Sequence, residues 1–201
     1  MGRRTLPVRP RCGSESELIA VNILVNAVVF KLAWLSAMLG GAKALPALVV
    51  MGVFTAIAVH LWRAAEPRRE LTLVVLTGLI GLAWDSVMVG AGWLEYPNGI
   101  IVPGLAPYWI IAIWMLFATT LNVTFRWLHD RLALAAVMGA FFGPMSYLAG
   151  SAAGAVELVE PLAALLSLGA AWALLMPGLL LVARQLDGTM LPALVEAAER
   201  R

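Results

Sequence analysis

The sequence predicts an all-α protein, a polytopic bundle of six membrane-spanning helices, and three observations predict this class. Hydrophobic residues make up 62% of the 201 residues and charged residues only 13%, whereas an ordinary soluble domain has roughly 25% charged residues. The mean hydropathy is +0.89. The apolar residues also fall into blocks of about 20 residues, the length that crosses a hydrocarbon core about 30 Å thick. The composition therefore disfavours a water-soluble fold.

The apolar blocks define one membrane domain at residues 18–186, with tails at 1–17 and 187–201. The connections between the blocks are short and leave no room for a soluble domain. The predicted spans, in chain order, are 18–39, 45–62, 71–93, 107–127, 132–156 and 161–183.

The basic residues predict the orientation of the bundle. Arginines precede span one, occupy the connections after spans two and four, and follow span six, whereas the alternate connections contain only Lys43. Because cytoplasmic loops carry the excess of Lys and Arg, both termini are predicted to be cytoplasmic. In the loop at 96–107, on the opposite side, Asn98-Gly99 and three prolines exclude a helix. We favour an inert linker there over a segment folded across the bundle.

Small residues at helical spacing predict close packing of two spans. Span five has them at spacings of four, three, four and four, which places them on one side of a helix, and this pattern favours small-residue packing in a membrane. Those residues are Gly139, Gly143, Ser146, Gly150 and Gly154. In span three, Gly78, Gly81 and Asp85 share a stripe, so the Asp85 carboxylate is predicted to face the interior. A buried carboxylate must be neutral or paired.

Two residues could reach Asp85 from other spans. At about 1.5 Å per residue, Lys31, Asp85 and Tyr147 lie at depths of about 20, 21 and 22 Å from the cytoplasmic side. Lys31 projects about 140° away from Asn26 on an ideal helix. Span one therefore either contacts neighbours on two sides, or Lys31 extends towards its own helix end, and both alternatives stay open.

A second polar layer lies nearer the predicted cytoplasmic side. It consists of Asn22, Asn26, Thr119, Asn122 and His60. These side chains are compatible with one hydrogen-bonded cluster. We favour a structural role for them, because Asn and Thr commonly hold membrane helices together.

The familiar signatures of hydrolases, nucleotide-binding proteins and metalloenzymes are missing from the sequence. It contains no HExxH, GxSxG, P-loop or GxGxxG motif, one cysteine and two histidines. We therefore expect no metal, no cofactor and no nucleic-acid partner. Acid-base chemistry at Asp85 or His60 stays open, because burial can tune such groups for catalysis.

Several motifs carry a resemblance to a known family. They are Asn26, Phe30 and Trp34 in span one, His60-Leu61, Asp85-Ser86, PGLAPYW at 103–109, FATTLN at 117–122 and GPMSYLAG at 143–150. Over residues 22–183 the chain resembles an uncharacterised family of bacterial inner-membrane proteins, the domain of unknown function 2878. Lys31 departs from the family pattern, which is expected to have an uncharged polar residue there. The resemblance implies the architecture and a loose association with lipid metabolism, and it implies no activity.

Our leading hypothesis is a non-catalytic protein of the bacterial inner membrane that binds or presents a lipid, or scaffolds a lipid-modifying enzyme. A transporter or flippase for a hydrophobic substrate is the second hypothesis. An intramembrane lipid-modifying enzyme that uses Asp85 or His60 is the third. The sequence leaves the oligomeric state open. The candidate ligand-binding residues are Asp85, Asn122, Thr119, Asn26, Tyr147 and Lys31.

Overall fold

The computed structural model describes residues 13–190, with side chains from residue 17 onward, and about 75% of the chain is helical. The arginines of residues 3–11 and most of the two predicted tails lie outside the described residues. The described part contains six helices and two short strands. The helices are α1 (Gly13–Ala42), α2 (Pro46–Arg63, with a π turn at Val50–Phe54), α3 (Pro67–Gly90), α4 (Tyr108–Leu121), α5 (Leu132–Ala152) and α6 (Pro161–Gln185). The strands are β1 (Leu94–Glu95) and β2 (Glu157–Leu158).

Five of these six helices are long and apolar enough to cross a membrane, and α4 is the exception. The predicted span at 107–127 is an α-helix for only 14 residues, about 21 Å. Nine of those residues are buried, so α4 lies within the bundle. After Leu121 the chain makes turns and one 3-10 turn at Arg126–Leu128. Non-helical backbone is tolerated at such depth when protein encloses it.

Contacts within the protein satisfy the backbone beyond the end of α4. Arg126 donates a hydrogen bond of 3.3 Å to the Asn122 carbonyl, and His129 Nε2 donates one of 3.0 Å to the Leu121 carbonyl. Burial lowers the pKa of His129, which favours the neutral ring in this position. Helix α4 can therefore end at Leu121, because these side chains donate to carbonyls that a further helical turn would otherwise have bonded.

The bundle has two ends. The basic end comprises the connections at 64–66 and 122–131 together with residues 186–190, and the hairpin end comprises those at 91–107 and 153–160. At the hairpin end β1 pairs antiparallel with β2, with Leu94 opposite Leu158 and Glu95 opposite Glu157. This pairing joins the loop before α4 to the loop before α6.

The loop between β1 and α4 is folded onto the bundle. Tyr96 is only 2% exposed, Ser86 Oγ accepts a hydrogen bond of 2.9 Å from the Ala106 amide, and Asn98 donates to the Ala42 carbonyl at 3.3 Å. The expectation of an inert linker is therefore wrong. Its apolar segment at 100–102 remains exposed.

Gly139 and Gly143 of α5 pack against α6, as their spacing predicts, whereas a Cβ on Gly150 would meet Val156 at 3.2 Å and one on Gly154, after the end of α5, would meet nothing within 4 Å. A Cβ on Gly139 would lie 2.2 Å from the Trp172 carbonyl oxygen, and one on Gly143 would lie 2.4 Å from the Trp172 ring. Neither distance is physically possible, so these positions require glycine unless the two helices move apart. The stripe therefore sets the separation of α5 and α6.

Gly139→Ala should lower the free energy of unfolding by about 1 to 3 kcal/mol, the usual cost of overpacking a well-packed interior. The matched control is Gly178→Ala in α6, where an added Cβ meets nothing within 4 Å. That change should be neutral or stabilise by up to about 1 kcal/mol, because Ala has the higher helix propensity. Unfolding of the purified protein in mild detergent by sodium dodecyl sulfate measures both values. Equal effects of the two changes would contradict the packing described for Gly139.

Candidate functional site

Asp85 in α3 is fully buried and accepts three hydrogen bonds. The hydroxyls of Tyr96 and Tyr147 donate to Oδ1 at 2.6 and 2.8 Å, and Trp114 Nε1 donates to Oδ2 at 2.7 Å. Burial, with the neighbouring carboxylate, raises the pKa of the Tyr96 phenol well above its usual range, so Tyr96 stays a donor. Both carboxylate oxygens are thus satisfied by neutral groups. We call Asp85, Tyr96, Trp114 and Tyr147 the Asp85 site.

The sequence of α3 makes room for this arrangement one turn before Asp85. A Cβ on Gly81 would lie 2.0 Å from the Trp114 ring, so the glycine lets the indole lie directly on the helix backbone. Trp172 of α6 stacks on the other side of that indole, with ring centroids 4.8 Å apart and planes at 16°. The Trp114 ring is held on both faces, which aims its N–H at Asp85.

The structure brings Tyr147 to Asp85 but does not bring Lys31 there. Lys31 is exposed on α1, and its Nζ lies 4.4 Å from the centroid of the Trp34 ring, a cation-π contact. Among the described residues, no ion pair involves Asp85. Sequence reasoning missed Tyr96 and Trp114. A loop tyrosine carries no helical spacing, and nothing in the apolar run of α4 distinguishes Trp114 from its neighbours.

An apolar cleft of about 500 Å³ lies beside the Asp85 site. Helix α4 contributes its floor, α1 lines one side, and α5 and α6 line the other. Trp114 and Tyr147 belong to the wall, so Asp85 lies one layer behind the surface of the cleft. Other lining residues include Phe30, Lys31, Trp34, Ile113, Phe117, Phe142, Met145, Ser146, Ala149, Trp172 and Met176.

A second buried carboxylate, Glu70, organises the polar layer at the basic end. Its Oε2 lies 2.8 Å from His60 Nε2. Its Oε1 accepts hydrogen bonds of 3.0 Å from Asn122 Nδ2 and 2.8 Å from the Gly188 amide. Glu70 is fully buried, although the sequence predicts it to lie in a connection outside span three. The sequence does contain a signal for this burial. The inward stripe of α3 continues from Asp85 through positions 81, 78 and 74 to Glu70, at spacings of four and three.

The other predicted members of this layer lie around the Glu70 cluster of Glu70, His60, Asn122 and Gly188. Asn26 donates to the Thr119 carbonyl at 3.0 Å and accepts from Thr124 at 2.7 Å. Arg63 donates to Asn22 Oδ1. These contacts tie α1 to α2 and α4. One oxygen, Asn122 Oδ1, is buried without a hydrogen-bond partner in the described part of the chain.

A cavity of about 230 Å³ opens beside the Glu70 cluster, across the contact between α1 and α4 from the apolar cleft. We call it the polar cavity because Asn, His, Arg and Thr side chains join the apolar residues of its lining. Asn26 and Val29 of α1 face the polar cavity, whereas Phe30 and Lys31 line the apolar cleft. Two faces of helix α1 therefore line two different cavities, and the exposed Lys31 packs on Trp34, nearer its own helix end. The lining includes Asn22, Asn26, His60, Arg63, Thr119, Val123 and Thr189. Over residues 13–190, no group of three His, Cys, Asp or Glu side chains is placed to hold a metal ion.

The fold and the two buried carboxylates define a membrane-embedded, multi-pass helical protein. The family model described as "Protein of unknown function (DUF2878)" matches residues 23–178. The chain belongs to this family, which confirms the resemblance carried by its motifs. Comparisons with curated proteins and with solved structures find no match.

Proposed function

We propose that the protein binds a lipid in the apolar cleft, as a non-catalytic protein of the bacterial inner membrane with both termini cytoplasmic. The cleft is the observation that carries this proposal. Its volume of about 500 Å³ lies within the range of about 300 to 1,000 Å³ typical of ligand sites. Lys31 is the one charged residue among the described residues of its lining. Presentation of that lipid to a lipid-modifying enzyme fits the same cleft.

The position of the cleft supports entry from the membrane. Phe142 and Met145 line it and are 58% and 47% exposed, and Lys31 is exposed beside them. A lipid chain can therefore enter sideways, from the surface that faces hydrocarbon, without crossing a polar layer.

Selectivity for a lipid requires more than an apolar wall. Membrane hydrocarbon is as apolar as the cleft, so transfer of a chain from one to the other gains packing contacts but little hydrophobic free energy. Lys31 provides the discriminating group, because an ammonium at the rim attracts an anionic headgroup in this low-dielectric setting. We therefore propose that the bound lipid carries a negative charge.

Ala149→Phe tests the proposal by filling the cleft, since Ala149 lines it. We expect a defined lipid species to co-purify with the wild-type protein and to be largely lost from the variant, as measured by mass spectrometry of extracted lipids. The control is Val137→Phe, on the same helix but 66% exposed and outside the lining. It should retain the lipid. Equal lipid content in all three proteins, or no retained lipid in the wild type, would refute lipid binding in the cleft.

A further inference from the structure

We infer that the polar cavity at the basic end is a second binding site, one for a phosphate-bearing anion, with Arg63 as its cationic group and His60 as a further polar group. It lies across the α1–α4 contact from the apolar cleft and shares no lining residue with it. The inference is therefore independent of lipid binding in the cleft.

The charges on the cavity wall favour an anion. Arg63 and His60 are in the lining, and no Asp or Glu is among its described residues. The nearest buried carboxylate, Glu70, directs Oε2 at His60 and has both partners of Oε1 supplied by the protein. An entering anion therefore meets the Arg63 guanidinium and polar side chains without a negative charge. The Glu70 carboxylate lies outside the lining and is already bonded within the protein.

His60 is held in place by Glu70, which acts as a positioning residue. The imidazole side chain is 8% exposed and its Nε2 is bonded to the carboxylate. Within the described residues its other ring nitrogen, Nδ1, has no hydrogen-bond partner. A carboxylate that fixes one nitrogen of a histidine sets the orientation of the other. His60 is therefore a polar group of fixed orientation in the lining of the cavity.

Arg63 supplies the geometry that phosphate requires. It ends α2, is exposed, and donates to Asn22 Oδ1 on α1. A guanidinium carries five N–H donors in a planar fork, so one contact with Asn22 leaves donors for two phosphate oxygens. The contact with Asn22 also holds the fork over the gap between α1 and α2.

The size and rim of the cavity match a phosphate group with a few attached atoms. Its volume is about 230 Å³, less than half that of the apolar cleft. Val25 and Val59 line the side between α1 and α2, and they are 37% and 38% exposed. The phosphate could belong to a lipid headgroup, with its chains leaving past these valines, or to free phosphate. Both share the chemistry that Arg63 recognises.

The test uses the full-length protein in mild detergent, with phosphatidylglycerol, a diacylglycerol with the same chains, and inorganic phosphate as probes. Native mass spectrometry measures the affinity of Ala149→Phe, in which the apolar cleft is filled, and of the same variant carrying Arg63→Gln or the control Arg68→Gln. Arg68 is exposed on α3 and is not in the lining. We expect phosphatidylglycerol to bind about tenfold or more weakly to Arg63→Gln, the effect of losing a charge-assisted hydrogen bond, and equally to Arg68→Gln. His60→Gln should also weaken binding, and diacylglycerol should not bind in the cavity.

Inorganic phosphate, the third probe, distinguishes a lipid headgroup from free phosphate as the ligand of the cavity. Displacement of phosphatidylglycerol by millimolar inorganic phosphate would assign the cavity to free phosphate, and a lack of displacement would assign it to a lipid headgroup. Equal affinities in Arg63→Gln and Arg68→Gln would overturn the inference. Because the cleft is filled in each of these proteins, their binding of phosphatidylglycerol reports on the cavity alone, and failure of the cleft proposal and failure of this one give different results.

Discussion

Asp85→Leu should lower the free energy of unfolding by about 3 kcal/mol or more, because each buried donor left without an acceptor costs about 1 to 3 kcal/mol. Tyr96, Tyr147 and Trp114 would all lose their acceptor in a site from which water is excluded. Denaturation in mixed detergent micelles measures the change. Asp85→Asn should cost about half as much, because its carbonyl oxygen still accepts from two donors while its amide faces the third.

The control for Asp85 is Asp130→Leu. Asp130 also carries a carboxylate, but its side chain is 85% exposed and pairs with Arg184 on the surface. A change there should stay within about 0.5 kcal/mol. If Asp85→Leu unfolds no more easily than Asp130→Leu, the three hydrogen bonds contribute nothing measurable and the site is not a determinant of the fold.

Glu70→Ala should lower the free energy of unfolding by about 3 kcal/mol or more, because each buried donor left without its acceptor costs about 1 to 3 kcal/mol. The change removes the acceptor of Asn122 and of the Gly188 amide and leaves His60 without its carboxylate. The same denaturation measurement applies. Glu70→Gln should be milder, since its amide oxygen still accepts a hydrogen bond although its NH₂ group cannot.

Glu66→Ala provides a closely matched control for Glu70. The two glutamates are one helical turn apart, but the Glu66 side chain is 56% exposed and pairs only with exposed Arg69 among the described residues. Exposed pairs of this kind contribute about 0 to 1 kcal/mol. Similar losses in Glu66→Ala and Glu70→Ala would show that the Glu70 cluster does not stabilise the bundle.

The long helices could be predicted because the residues that determine each helix lie within or next to its own segment of the sequence. Apolar blocks, prolines at Pro46, Pro67 and Pro161, and arginine-rich connections mark five of the six. The end of α4 could not be predicted, because apolar residues continue after Leu121 at Val123, Phe125 and Trp127. Their helical hydrogen bonds are replaced by contacts with distant side chains, which leave no local signal.

Local sequence likewise predicts the position of one buried carboxylate, Asp85, but not that of the other, Glu70. The glycine stripe of α3 predicts that Asp85 faces inward, and helix depth predicts that Tyr147 reaches it. Lys31 has the same depth, but it lies on a different face and is exposed. Glu70 follows two arginines at the edge of an apolar block, where a charged residue ordinarily meets water. Its burial depends on Gly188, 118 residues further along the chain.

The partners of Glu70 also fix the order in which its surroundings are completed during synthesis. His60 leaves the ribosome ten residues before Glu70, Asn122 follows 52 residues after it, and Gly188 comes 118 residues after it. A nascent chain that has inserted only α1 to α3 has one of the three partners. The carboxylate gains its last donor only after α6 has been made, so closure of the basic end is a late event in assembly.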